Sequence, residues 1–359
     1  MIEFKISDYL KPDKKGLKVL KWEFFSNLNN NNIWKKIINE KELKINLNKI
    51  DLFNHDGIIW IAFISLYRNI KNFYTEILLP YDMEKVSYLS YIGFEEISEI
   101  SNTYLSNVHK FVDLAEDRLK KKSEREFKHY QRDNYEYSIQ RIQLIDNITC
   151  DKITNYAKDY IEDILIKRSD FNPTGQEAFE FFNSFHTSLK EILQNVSDHG
   201  FFIVNQSNQN TNGIDIYRKG EGIGFTSCTP PRKKSRAVRL CCSDVGSGLF
   251  STLKKKITRD KLTDERDAVI EAYLYRYFNK VDGIIGLFPI LEYVRMRKGK
   301  IKIRFGEIYS ILDLSKPSFQ DIFDKGYSNP SRKWITHLLQ FYHSLPKIPG
   351  THIIIELYF

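Results

Sequence analysis

The chain has 359 residues, 42% of them hydrophobic and 28% charged, with a formal net charge of +8. This hydrophobic share excludes a disordered chain, and the length exceeds what one core usually needs, so two domains are expected. The positive surplus points to acidic partners, nucleic acid or nucleotide phosphates, although the lysines are spread along the chain rather than clustered.

The first segment, Met1 to Lys49, mixes short helical and loop signals, and the Asn run at 29–32 reads as a loop. "IDLFNHDGIIWIAFISLYRNI" predicts a strand ending near Phe53, a turn at Asn54 to Gly57 and an apolar helix. "FYTEILLP" is a strand stopped by Pro80, and "MEKVSYLSYIGFEEI" is a helix whose end Gly93 marks. Strand, helix, strand, helix predicts a small α/β domain over residues 1–110. "DLAEDRLKKKSEREFKHYQRDNYEY" is a mixed-charge helix with few apolar anchors, and 111–150 reads as a charged helical linker.

A second domain, 151–359, opens with the helical patterns "ITNYAKDYIEDILIKR" and "AFEFFNSFHTSLKEILQNVSDHG". After a long loop, "AVRLCCSDVGSGL" is a buried strand running into a glycine turn. "TDERDAVIEAYLYRYF" is a helix with Thr263 as its cap. "DGIIGLFPILEYVRMRKG" is a glycine turn followed by a helix, then comes strand "KIKIRFG", and the chain closes on "GTHIIIELYF", a strand of alternating character. Two stretches read as insertions, 207–236 and 307–349. The first carries the basic "PPRKKSR" (Pro230 to Arg236), which is either a nucleic-acid contact or a solvated loop.

Four cysteines, Cys150, Cys228, Cys241 and Cys242, lack metal-site spacing and fit a reducing cytoplasm. No signal peptide is evident, and the longest apolar run, "GIIWIAFISLY", is too short to span a bilayer, so a cytoplasmic protein without a membrane segment is expected.

In "LKEILQNVSDHG", Glu191, Asn195 and His199 are spaced four apart, which stacks them in one polar line, while Leu189, Ile192, Leu193 and Val196 can face a core. Asp244 ends a strand, where its carboxylate can be fixed in a pocket floor, and Gly246 and Gly248 allow the backbone to turn sharply. Gly283 and Gly286 precede a helix whose free N–H groups suit phosphates, and Pro289 is tolerated in that first turn. Caps, solvated faces and ordinary tight turns are the plainer alternatives for each of these features taken alone.

In order, "EILQNVSDHG", "DVGSGL", "DGIIGL" and the terminal "GT" resemble the N box, the two glycine boxes and the last strand of the GHKL family (gyrase, Hsp90, histidine kinase, MutL) over about residues 151–359. The resemblance implies a Bergerat-type α/β sandwich, a mixed sheet backed by helices, that binds ATP with Mg2+. It implies that Asp244 accepts a hydrogen bond from the adenine amino group, with Gly246 and Gly248 beside the base and Thr351 reaching it through water. Asn195 would ligate Mg2+, Glu191 would be the general base, Gly283 and Gly286 would receive phosphates, and Asp198 would lie near the nucleotide. His199 is either a core or rim histidine or part of the site. A lid is expected at Phe250 to Asp282. Ile284 stands where the family commonly has glycine, which leaves room for slow turnover or none.

The segment around "FNHDG", "TEILLP" and "YLSYIGF", about residues 40–105, resembles a STAS-like domain, the fold of anti-sigma-factor antagonists. It departs from the phosphorylated members, because the turn Asn54, His55, Asp56, Gly57 holds no Ser or Thr and the next hydroxyl is Ser65. Together the resemblances imply a nucleotide-driven switch of bacterial signalling or defence, a slow ATPase working through a protein partner or a homodimer. The rival readings are an anti-sigma-type serine/threonine kinase, which Asn195-x-x-x-His199 favours, and a non-hydrolysing module with nucleic-acid contacts.

Overall fold

The computed structural model describes residues 1–26, 31–106, 142–145, 152, 154–155, 157, 175–199, 224–229, 237–246, 248–254, 262–274, 287–315 and 332–358. The chain divides into two compact units, Met1–Gln143 with Ser227–Arg236, and Leu144–Thr226 with Ala237–Phe359. It is an α/β protein with parallel sheets in the first unit and an antiparallel sheet with helices in the second.

The first unit holds β1 (Ile2–Lys5), β2 (Val19–Leu20), α1 (Trp22–Ser26), α2 (Asn31–Asn39), β3 (Glu42–Asn46), β4 (Leu52–Phe53), α3 (His55–Ile70), β5 (Tyr74–Leu78), α4 (Met83–Tyr91), α5 (Phe94–Ile100) and β6 (Tyr104–Ser106). Strands β1, β3, β5 and β6 form one sheet in the order β1-β3-β5-β6, each neighbour parallel, so every link must cross over through helix or loop. Helix α3 is buried from His55 through Arg68, apolar on nearly every side, and serves as the unit's core. Trp60 lies 5.2 Å from Trp22 and 5.9 Å from Trp34, ring centre to ring centre, and Phe63 meets it edge-on at 5.7 Å. The buried Arg68 ties down the end of α3. It donates to Thr75 Oγ1 at 2.8 Å, to the carbonyls of Ile37 and Glu40 at 2.8 Å and to that of Tyr74 at 2.7 Å.

Two expectations for this unit are corrected. The segment before Lys49 contains strands β1 and β3, not only helix and loop. The expected turn at Asn54 to Gly57 is the first turn of α3, which begins at His55. Gly57 serves close packing there, since a Cβ on it would lie 2.7 Å from the carbonyl oxygen of Leu20. Gly93 does mark the end of α4, sitting in the left-handed region at φ 84° before α5 starts. Ser65 is buried within α3.

The second unit is built on a seven-stranded sheet in the order β12-β11-β10-β13-β9-β8-β7. Its elements are β7 (Gln143–Ile145), α6 (Gly175–His199), β8 (Gly224–Thr229), β9 (Ala237–Asp244), α7 (Leu249–Lys254), α8 (Glu265–Leu274), α9 (Phe288–Met296), β10 (Lys300–Gly306), β11 (Ile308–Asp313), α10 (Arg332–Leu338), β12 (Leu339–Tyr342) and β13 (Ile348–Tyr358). The pairings whose register is described, from β12 to β9, are all antiparallel, where a mixed sheet was expected. Helix α6 packs on β9 and on α9, and α9 packs on β10 and β13. Leu189, Ile192, Leu193 and Val196 of α6 are buried as expected, and each such side chain contributes roughly 1.5–3 kcal/mol of hydrophobic free energy.

The closing strand does not alternate. His352 through Leu357 of β13 are all buried, because the strand lies at the centre of the sheet with both faces covered. The expected insertion 307–349 supplies β11 and β12, which extend the sheet, and the loop expected at 207–236 contains β8. Helix α8 is capped by Asp264, whose Oδ1 accepts from the N–H of Asp267 at 2.9 Å. Thr263, the expected cap, instead donates its N–H and hydroxyl to Asp267 Oδ2. No helix among the described residues is long and apolar enough to cross a membrane.

Candidate functional site

Asp244 is the last residue of β9 and is buried. Its register places Ser243 opposite His352 of β13, so Asp244 lies beside Thr351. Oδ1 accepts the N–H of Gly246 at 2.8 Å and the N–H of Thr351 at 3.1 Å. One carboxylate oxygen therefore fastens the glycine turn to the "GT" of the final strand. The turn is closed further by the Gly350 N–H, which donates to the Gly246 carbonyl at 2.9 Å. Oδ2 accepts no hydrogen bond among the described residues. Burial pushes the Asp244 carboxyl up to about 7 against the opposing pull of the two N–H groups.

The glycines at this point are used differently. Gly248 has φ 82°, and a Cβ there would rest at ordinary distance from its neighbours, so conformation alone selects it. Gly350 has φ 72°, and a Cβ there would also overlap the Asp244 carbonyl oxygen. Sequence reasoning singled out Thr351 and missed the role of Gly350; its signal was present in the "GT" pair. Gly224, at the start of β8, was missed altogether. A Cβ on it would lie 2.5 Å from Ser243 O, 2.9 Å from Val196 Cγ1 and 3.2 Å from Asp244 Cα. That contact brings α6 to the end of β9.

Glu191 and Asn195 are both half-buried on α6, one turn apart. Glu191 Oε2 is inaccessible to solvent and makes no hydrogen bond among the described residues, and neither does the buried Ser188 Oγ one turn earlier. Burial pushes the Glu191 carboxyl up to about 7, with Lys190 opposing. A buried carboxylate oxygen with no partner is costly, which makes Glu191 a candidate for a functional role. Glu356 provides the contrast within the same sheet. It receives Lys302 Nζ and Arg239 Nε, each at 3.0 Å, and the Tyr358 hydroxyl at 3.1 Å. Burial alone would raise it, but these cations hold it below the usual carboxylate range. Glu356 is satisfied as a structural ion network; among the described residues Asp244 and Glu191 make no ion pair, and Lys190 acts on Glu191 only through its field.

Asp198 and His199 belong to α6 by backbone, while their side chains lie outside the described residues, as do Gly283, Gly286 and Ile284. The basic stretch Pro230 to Arg236 and most of the linker 111–150 are likewise outside them. The span expected as a lid, 250–282, is not uniform. Within it α8 buries Ala268, Val269, Ile270, Ala272 and Tyr273, and Glu265 Oε2 accepts the Glu307 N–H at 2.8 Å, so this part packs as core. Among the described residues no cluster of three or more His, Cys, Asp or Glu converges as a metal site. No protein-family model, curated protein or solved structure matches the chain.

Proposed function

We propose that the second unit is a Bergerat-type site that binds ATP with Mg2+, and that the chain is a slow ATPase acting as a nucleotide-driven switch. The observation that carries this reading is the Asp244 carboxylate, which joins the glycine turn and the Thr351 strand through Oδ1 alone. Oδ2 is then left to accept the amino group of a purine. Gly350 carries no side chain against Asp244, and Gly246 and Gly248 of the turn carry none either, which would suit close approach of a flat base.

The residues on α6 suit the other end of the ligand. Asn195 offers a neutral oxygen for Mg2+, a cation that takes few protein ligands beside phosphate oxygens and water. Bound Mg2+ would supply charge neutralisation for the phosphates. Glu191, lifted to about 7 by burial, is matched to accept a proton from an attacking water near neutral pH. Gly283, Gly286 and the start of α9 would receive phosphates; Asp198 and Thr351 would line the nucleotide. The parallel α/β sheet of the first unit is consistent with a STAS-like module, through which binding would be passed to a protein partner or a second copy.

Purified protein is assayed for Mg2+-dependent phosphate release from ATP beside Glu191→Ala. Release by the native chain, lost in the variant while ATP still binds, is the expected result. A native chain that binds no ATP refutes the reading. Asn195-x-x-x-His199 favours a second reading, a serine/threonine kinase, for which ATP phosphate would appear on a co-purifying protein rather than in solution.

A further inference from the structure

The end of β9 is flanked on both sides by residues without side chains. Gly350 on β13 occupies one side, where a Cβ would overlap the Asp244 carbonyl oxygen. Gly224 on β8 occupies the other, where a Cβ would stand 2.5 Å from Ser243 O and 3.2 Å from Asp244 Cα. Gly350 needs glycine for its φ of 72° as well as for space. Gly224 is not among the glycines of positive φ, so space alone selects it. The third atom it meets, Val196 Cγ1 at 2.9 Å, belongs to the residue after Asn195.

We infer that Gly224 is a positioning residue for nucleotide recognition, setting the separation between Asp244 and the Asn195 turn of α6; the inference rests on the nucleotide reading above. Contacts under 3 Å to a backbone oxygen cannot be relieved by turning a side chain. Any side chain at 224 must push β9 outward, lift α6, or both. Asp244 Oδ1 is tied to Gly246 and Thr351, so moving its backbone re-aims Oδ2, the atom that distinguishes an amino-bearing base from an oxo-bearing one. Gly224 therefore governs the preference for adenine over guanine through Asp244, without touching the base.

The test uses the full chain. Affinities for Mg-ATP and Mg-GTP are measured by calorimetry for the native protein, Gly224→Ala and Val196→Ile, with circular dichroism and Tm beside them. Gly224→Ala is expected to keep its spectrum and to bind ATP about tenfold more weakly, which is ~1.4 kcal/mol. GTP affinity should change little, so the ATP-to-GTP ratio should fall by a similar factor. A merely structural glycine would lower Tm and leave that ratio alone. Val196→Ile presses on the same point from the helix side and should lower the ratio in the same direction; it decides the matter if Gly224→Ala does not fold. A folded variant with the native ratio overturns the inference alone, whereas a native chain that binds no ATP overturns the nucleotide reading and this role with it.

Discussion

Asp244→Asn should strengthen the fold and weaken the proposed ligand, and the two signs come from the same carboxylate. The amide is isosteric, and its oxygen can keep the N–H groups of Gly246 and Thr351 that now end on Oδ1. What it removes is a negative charge held in a buried position. The folded carboxyl is raised to about 7, against roughly 3.9 in an unfolded chain. A carboxyl raised on folding holds its proton more tightly when folded, so its contribution falls as pH rises from about 4 to about 7 and stays lost above that. At one-pKa-unit increments of ~1.4 kcal/mol, the cost at pH 8 is on the order of 2–4 kcal/mol. The neutral amide avoids it, so Tm of the second unit at pH 8 should rise by several degrees. The position left by Oδ2 becomes an N–H2 donor facing the base amino group. Losing a hydrogen bond to a charged acceptor costs roughly 1.5–3 kcal/mol, about 10- to 150-fold in ATP affinity. Differential scanning calorimetry and titration calorimetry at pH 8 read both quantities. A variant that is less stable than the native chain, or that binds ATP equally well, refutes the account of this carboxylate.

The other predictions concern Glu191, pH, Gly350 and Arg68. Glu191→Gln should cut steady-state phosphate release by about 10²- to 10⁴-fold while Kd for ATP stays within a few-fold, since a general base acts on the transition state. Phosphate release should rise with pH through about 7, because Glu191 must lose its proton to act as base and Asp244 must lose its own to accept from the base amino group; a rate that is flat or falling from pH 6 to 8 contradicts both assignments. Gly350→Ala places a Cβ against the Asp244 carbonyl at φ 72°, and should cost roughly 2–4 kcal/mol by chemical denaturation, more than Gly248→Ala, which carries strain without overlap. Arg68→Ala abandons a buried set of acceptors at Thr75, Ile37, Glu40 and Tyr74, and should lower the unfolding free energy of the first unit by about 3 kcal/mol or more, at roughly 1–3 kcal/mol for each acceptor left unsatisfied, without changing ATP affinity.

The elements read correctly from sequence are those whose patterns have one explanation. "AVRLCCSD" is apolar, short and followed by glycine, and is β9; "FPILEYVRM" carries Pro289 in its first turn, and is α9. Misreadings arose where local composition served a distant contact. Asn54-His55-Asp56-Gly57 has turn chemistry, yet Gly57 is small because the Leu20 carbonyl lies against it. "ELKIN" reads as polar, but β3 buries Leu43, Ile45 and Asn46, the last held by Glu3 of β1 at 2.7 Å. "GFTSCT" is hidden among Gly, Ser and Pro, and its Thr226 is spent on the Cys241 carbonyl at 2.9 Å. The candidate site was legible as a list of residue types. The "GT" pair pointed at Gly350, but Gly224 and the contacts of both glycines were not legible, because nothing local says which backbone atoms will lie beside a glycine.

The same limit explains why charge alone does not separate function from structure in this sheet. Asp244 and Glu356 are both buried acids on adjacent central strands, β9 and β13; the glycine turn after Asp244 marks it in the sequence, but nothing there says which acid will meet a cation. Glu356 faces Arg239 across the strand pair and Lys302 diagonally, so its burial is compensated. Asp244 is compensated only by backbone N–H groups on one oxygen, at a strand end flanked by Gly224 and Gly350. An amide there would keep the two backbone donors and avoid the cost of the buried charge. Under the proposed nucleotide reading, the base amino group is the donor missing at Asp244, and the attacking water supplies the proton to Glu191, the second acid that burial raises.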